Sequence, residues 1–173
     1  MKKVLSVLAV AALFLVSFSG CGGDKTYTDL LTQKNGWVLS SATSAPAYHM
    51  QDGSYAQDLI NDGYLEDFEA AYILLFNENG NEVVKPGKVV APEDFDPEWC
   101  YREETSLGNW SFDNAENPQY ISMQVPFFYD EVPEKCQILS LTENEFRIKC
   151  TIDDTENPAK EIYSFTLTFV PAK

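Results

Sequence analysis

From residue 27 onward, apolar and polar side chains alternate in short stretches broken by turn-forming clusters. The last stretch is the clearest. Tyr163, Phe165, Leu167 and Phe169 fall on one face, and Ser164, Thr166 and Thr168 on the other. Period-two alternation of aromatic and β-branched residues marks a half-buried antiparallel strand. Just upstream, Phe146, Ile148, Cys150 and Ile152 alternate with Arg147, Lys149 and Thr151. Ile121, Met123 and Val125 alternate with Ser122 and Gln124. Tyr72 to Phe76 is an apolar run ended by Asn77-Glu78-Asn79-Gly80, a hairpin turn in which Gly supplies positive φ. Further strands are expected at Trp37–Ser41, at Val83–Lys85 or Lys88–Val90, at Leu107–Asp113 and at Gln137–Leu141.

This pattern predicts an all-β fold, an antiparallel meander barrel of about eight strands with one or two short helices. Thr28 to Gln33 suits one helical turn. Ser54 to Asn61, stopped by Gly63, suits two, with Tyr55, Leu59 and Ile60 facing inward. Two connections are longer than a compact barrel requires: Ala42 to Glu69 and Pro86 to Ser106. Loops of that length are either functional or disordered. Phe95, Trp99 and Tyr101 argue that the second packs on something, and they are the candidate loop contacts.

Residues 1–20 read as a targeting segment outside this pattern. Lys2 and Lys3 precede an uncharged, mostly apolar run from Val4 to Phe18, the length of a signal-peptide core. A membrane-crossing helix needs about 20 residues. Phe18-Ser19-Gly20-Cys21 resembles the lipobox of bacterial lipoproteins, in which the cysteine is lipid-modified and becomes the mature N-terminus. The resemblance implies lipidation at Cys21, a lipidated tether over residues 21–26 and one domain over 27–173. It also implies anchoring in the outer membrane of the cell envelope. Asp24 alone is a poor surface-export tag, which points to the periplasmic side.

Cutting at Cys21 leaves ten basic against 27 acidic side chains, a net charge of −17. Nucleic-acid and anionic-membrane binders need clustered Lys and Arg, so routine members of both partner classes are excluded. Three Trp, nine Tyr and eleven Phe, within 45% apolar residues, exclude wholesale disorder.

The succession of motifs adds a family. Trp37-Val38-Leu39, the turn from Phe76 to Gly80, Gly108-Asn109-Trp110-Ser111-Phe112, and Ile138-Leu139-Ser140-Leu141 leading to Phe146-Arg147-Ile148 follow in order. They resemble the lipocalin-like, calycin-type lipoproteins of Gram-negative bacteria, a family mostly of unassigned function. Two positions differ from true lipocalins: Gly36 directly precedes Trp37, and the last strand carries no Arg. The resemblance implies a small meander barrel.

Chemistry is sparsely represented. His49 is the only histidine, so a multi-histidine zinc site is impossible and a Ser-His or Cys-His nucleophile would have to use it. It reads as a solvent-exposed loop residue. Glu93, Asp94, Asp96, Glu98, Glu103 and Glu104 crowd one loop, yet Pro97 and a missing Gly depart from an EF-hand. A solvated charge run is the plainer reading. The expectation is a non-enzyme with no catalytic residue, cofactor or metal. A carboxylate-pair hydrolase is the minority alternative, because the inward strand faces are almost wholly apolar.

Trp37, Trp110, Phe112, Met123, Phe165 and Phe169 either fill the barrel or line a ligand cup; core is the first reading. The expected function is therefore a monomeric, lipid-anchored binding module for a small apolar ligand. The alternative is an interaction or inhibitor module for an envelope protein, with a solid core and an exposed Val125-Pro126-Phe127-Phe128-Tyr129 segment.

Cys100, Cys136 and Cys150 remain after Cys21, in an oxidising compartment. Pairing the last hairpin about Glu143 places Ser140 opposite Phe146, Ile138 opposite Ile148 and Cys136 opposite Cys150. Opposed residues lie within disulfide range, so Cys136–Cys150 is the expected bridge. Three buried reduced thiols are the alternative.

Overall fold

The computed structural model describes residues 25–128, 135–153 and 162–173. The targeting segment, Cys21 and Tyr129 lie outside the described residues. The elements in chain order are α1 (Tyr27–Leu31), β1 (Trp37–His49), β2 (Tyr55–Asp58), α2 (Asp67–Ala70) and β3 (Ile73–Phe76). There follow β4 (Asn81–Lys85), β5 (Thr105–Asn109), β6 (Ser111–Phe112), β7 (Tyr120–Ser122), β8 (Cys136–Leu141), β9 (Phe146–Asp153) and β10 (Ile162–Pro171).

The strands form one antiparallel sheet in the order β5-β4-β3-β1-β10-β9-β8-β7-β6, with β2 paired to β1 off this path. The nine strands curl into a nearly closed barrel. Its two edge strands, β5 and β6, are separated only by Trp110, so the chain itself joins the edges. Counted as one bent strand, β5 and β6 reduce the nine to the eight that alternation predicts. Their order around the barrel is their order in the chain, which is a meander.

Inward positions follow the pleat. Tyr163, Phe165, Leu167 and Phe169 of β10, and Phe146, Ile148 and Cys150 of β9, are all at most 1% exposed. At one end α1 covers the bore. Its N-terminus is closed by a capping box, with the Asp29 N–H donating to Thr26 Oγ1 and the Thr26 N–H donating to Asp29 Oδ2. Leu31 is fully buried, and its carbonyl accepts from the Trp37 indole at 2.8 Å. Gly36 makes the turn into β1 at φ +71°, where a Cβ would meet the Leu74 carbonyl oxygen at 2.5 Å. The turns at 77–80, 113–119 and 142–145 lie at this same near end. The connection of residues 86–104 follows β4 at the far end.

The structure corrects the helix expected at 54–61 and the register expected for the last hairpin. Ser54 to Asn61 is not a helix: β1 runs past Ser41 to His49, and this longer edge pairs with β2, Tyr48 facing Ala56 and His49 facing Tyr55. Pairing overrides the local helical spacing, and Tyr55 points out, 65% exposed. The second short helix is α2 instead. β4 takes the earlier of the two candidate ranges. In the last hairpin, Ile138 faces Ile148 as expected, but a bulge between Ile138 and Ser140 puts Ser140 opposite Arg147 and Leu141 opposite Phe146. The bulge returns Leu141 to the core side. Cys136 and Cys150 are disulfide-bonded, with Cα atoms 4.5 Å apart, while Cys100 is a buried free thiol.

Candidate functional site

The far-end connection is built on aromatic contacts. Phe95 meets Phe68 of α2 edge-on at 4.9 Å, and Tyr101 meets Tyr72 at 5.4 Å. The Tyr101 N–H also donates to Tyr72 Oη at 2.9 Å. Arg102 ties the connection to itself: its guanidinium donates to the carbonyls of Pro92 at 2.7 Å and Phe95 at 2.9 Å. Gly87 lies so close to Ala71 that a Cβ there would overlap the Ala71 carbonyl oxygen. The connection is thus an ordered cover over α2, and Phe95 and Tyr101 belong to its packed underside. Trp99 is not brought together with them; it is 43% exposed, as are Val89 at 46% and Val90 at 66%.

Glu93, Asp94 and Asp96 are exposed around these apolar side chains. Among the described residues, no three His, Cys, Asp or Glu side chains come together in a group able to hold a metal ion. His49 is not a loop residue. It ends β1, half-buried, with its ring edge-on to Tyr55 at 4.9 Å. Val125, Phe127 and Phe128 are not an exposed segment either: they are 3–5% exposed, and Phe128 packs on Phe165 at 4.8 Å. Val125 continues the inward alternation of Ile121 and Met123.

Inside the barrel, the residues considered for a ligand cup are mostly core. Trp37 contacts Phe146 at 5.7 Å, and Phe146 stacks on Phe169 at 5.6 Å. Phe76 reaches both Phe146 and Trp110 at 5.9 Å, and Trp110 touches the half-buried Phe112 at 5.4 Å. The rings form a continuous series from β10 to the β5–β6 join.

One inward residue is a carboxylate, contrary to the apolar interior expected. Glu82 of β4 is fully buried, opposite Phe76 on one side and Gly108 on the other. Gly108 has no side chain to obstruct it, and Glu82 Oε2 accepts from the Gln124 N–H at 2.9 Å. This links β4 to the segment after β7, at the seam where β5 passes into β6. Oε1 has no hydrogen-bond partner among the described residues. Burial pushes this carboxyl up to about 8, against the smaller opposing effect of the Gln124 N–H. Burial also pushes the Tyr101 phenol up, and the Glu82 charge adds to it. The signal was in the sequence. In Asn81-Glu82-Val83-Val84-Lys85, placing Val84 inward places Glu82 inward too, but a strand begun at Val83 omits it.

Among the described residues no helix is long and apolar enough to cross a membrane. No family model matches the chain, and no curated protein matches it.

Proposed function

We propose that the chain is a cell-envelope lipoprotein, held by lipid at Cys21, whose barrel supports a protein-contact surface formed by residues 86–104. The observation that carries this reading is the contact of Phe76 with Phe146, whose strands are separated by β1 and β10 around the barrel. Side chains that meet across the bore make it a core. The chain enters at the near end, where Lys25 Nζ lies 2.6 Å from Glu143 in the β8–β9 turn. A tether at Cys21 therefore leaves the far end, with Val89, Val90 and Trp99, directed away from the anchor.

Site-specific photocrosslinking in the envelope tests it. A crosslinker at Val90 or Trp99 should yield one reproducible adduct, and one at Thr166 of the barrel wall should yield none. Equal adducts at all three sites, or none at any, would refute the contact surface. Labelling with radioactive palmitate, lost in Cys21→Ala, tests the anchor separately.

The small-ligand reading has one observation in its favour, the partnerless Oε1 of Glu82 within an apolar interior. A ligand there would bring a hydrogen-bond donor to that oxygen. Native mass spectrometry of protein purified from envelopes separates the two: a retained small molecule, absent from Glu82→Gln, favours the ligand, and a bare mass favours the contact surface.

A further inference from the structure

We propose that the outer wall formed by β7, β8 and β9 lies against the membrane and that its partner is an anionic bilayer surface. The inference rests on the anchoring at Cys21 proposed above and adds an orientation to it.

The mature chain's net charge argues against routine binding to anionic membranes, yet the middle of this wall carries cations alone. Between their ends β7, β8 and β9 contain no Asp or Glu; Asp153 closes β9, and Glu143 and Glu145 lie in the β8–β9 turn, Glu143 paired with Lys25. Arg147 and Lys149 occupy outward, exposed positions between the buried Phe146, Ile148 and Cys150. Lys135, at the entry to β8, adds a third cation, its Nζ 4.6 Å from the centre of the Tyr120 ring. Tyr120 and Leu139 share this outer surface, 37% and 41% exposed. Cations flanking an amphipathic ring and an aliphatic side chain match a headgroup layer, where Tyr sits at the interface and Lys and Arg meet lipid phosphate.

The tether selects the same wall. Lys25 is paired with Glu143 in the turn between β8 and β9. Cys21 is four residues earlier, a span of no more than about 14 Å when extended. A diacylated cysteine on so short a link holds this hairpin at the bilayer. The acids of the 86–104 connection do not oppose the contact. They follow β4, which β3, β1 and β10 separate from β9 in the sheet. Salt at physiological strength screens charges over about 8 Å. The lipid would respond to the wall rather than to the net charge.

The test uses the mature chain beginning at Cys21, coupled through that thiol to a maleimide lipid in vesicles of brominated phosphatidylcholine, with or without phosphatidylglycerol. Cys100 is buried and the other two cysteines are bridged, so coupling is confined to Cys21. Leu139→Trp reports on the wall and Val90→Trp on the far end, each after subtraction of the unsubstituted protein's fluorescence. The expected result is bromine quenching of the Leu139→Trp signal in phosphatidylglycerol vesicles, reversed by high salt, and no quenching of Val90→Trp. Arg147→Glu with Lys149→Glu should reduce that quenching roughly tenfold, since attraction to anionic lipid is set by cations near the surface. Quenching of Val90→Trp instead, or equal Leu139→Trp quenching with and without phosphatidylglycerol, would overturn the proposal. So would an unquenched Leu139→Trp in both vesicles, which would leave the wall free for a protein. Because the maleimide lipid supplies the tether, a failure here concerns the wall, whereas loss of palmitate labelling concerns the anchor. All four substituted side chains are exposed, and circular dichroism matching the parent confirms that each variant folds.

Discussion

The rings of Phe76 and Phe146 meet edge-on at 5.9 Å across the bore, although two strands lie between theirs in the sheet. Phe146 is also the ring on which Trp37 and Phe169 pack. Phe146→Ala should lower unfolding stability by about 3–5 kcal/mol, the cost of a large buried cavity. A double-mutant cycle with Phe76→Ala should return a coupling of about 0.5–1.5 kcal/mol for the ring pair. Urea titrations measure both; additive losses would mean that the bore is looser than the contact indicates.

Glu82 makes stability depend on pH. Its folded value of about 8 lies above the 4.5 of an unconstrained Glu, so the unfolded chain sheds this proton first. The group's contribution is whole below pH 4.5, declines between 4.5 and 8, and declines no further above that. The full decline is no more than about 5 kcal/mol. Glu82→Gln keeps an acceptor for the Gln124 N–H and removes the ionisation. Urea midpoints at pH 5 and pH 8 should differ in the parent and coincide in the variant.

The acid side behaves oppositely. Hydrogen bonds from Thr26 and Ser54 hold Asp29 and Asp52 below the usual carboxylate range, and those from Tyr120 and Gln119 do the same for Asp113. Their stabilisation is present above an unfolded value of 3.8 and is lost as pH falls through the lowered folded values. Glu82→Gln should therefore leave the acid limb of the unfolding curve below about pH 4 in place. A variant that also flattened that limb would show that Glu82 is not the separate source of the alkaline decline.

The Cys136–Cys150 bridge closes a loop of 14 residues' separation, for which the chain-entropy relation gives about 3 kcal/mol. Reduction, or Cys136→Ala with Cys150→Ala, should lower stability by up to that amount without changing the strand content seen by circular dichroism. Non-reducing peptide mapping should recover the two cysteines in one linked peptide and Cys100 alone.

Gly87→Ala should lift the 86–104 connection from α2, because the added methyl group overlaps the Ala71 carbonyl. The expected loss is about 1–3 kcal/mol, with faster proteolytic cutting between residues 86 and 104. Unchanged cutting would mean that the Arg102 ties alone hold the cover.

Most strands were legible because a barrel wall has one wet and one dry face, and alternation records that directly. β9 and β10 needed nothing else. Ser54 to Asn61 misled because Tyr55, Leu59 and Ile60 have helical spacing, while the edge offered by residues 42–49 is not a local property. Glu82 was missed because a charged side chain is usually taken to end an apolar strand rather than face its interior. Burial of Val125 to Phe128 was hidden for a related reason: without regular alternation past Val125, a sequence does not tell covered aromatics from exposed ones.

The first long strand and the last are neighbours: Trp37 pairs with Pro171 and Ala45 with Ser164. A chain without residues 162–171 cannot complete this ring, since β1 then lacks its β10 partner. A chain cut short before Ile162 would expose both β1 and β9 as unpaired edges, which is a recipe for aggregation. The ring order thus makes solubility depend on the one strand that covers both of these edges.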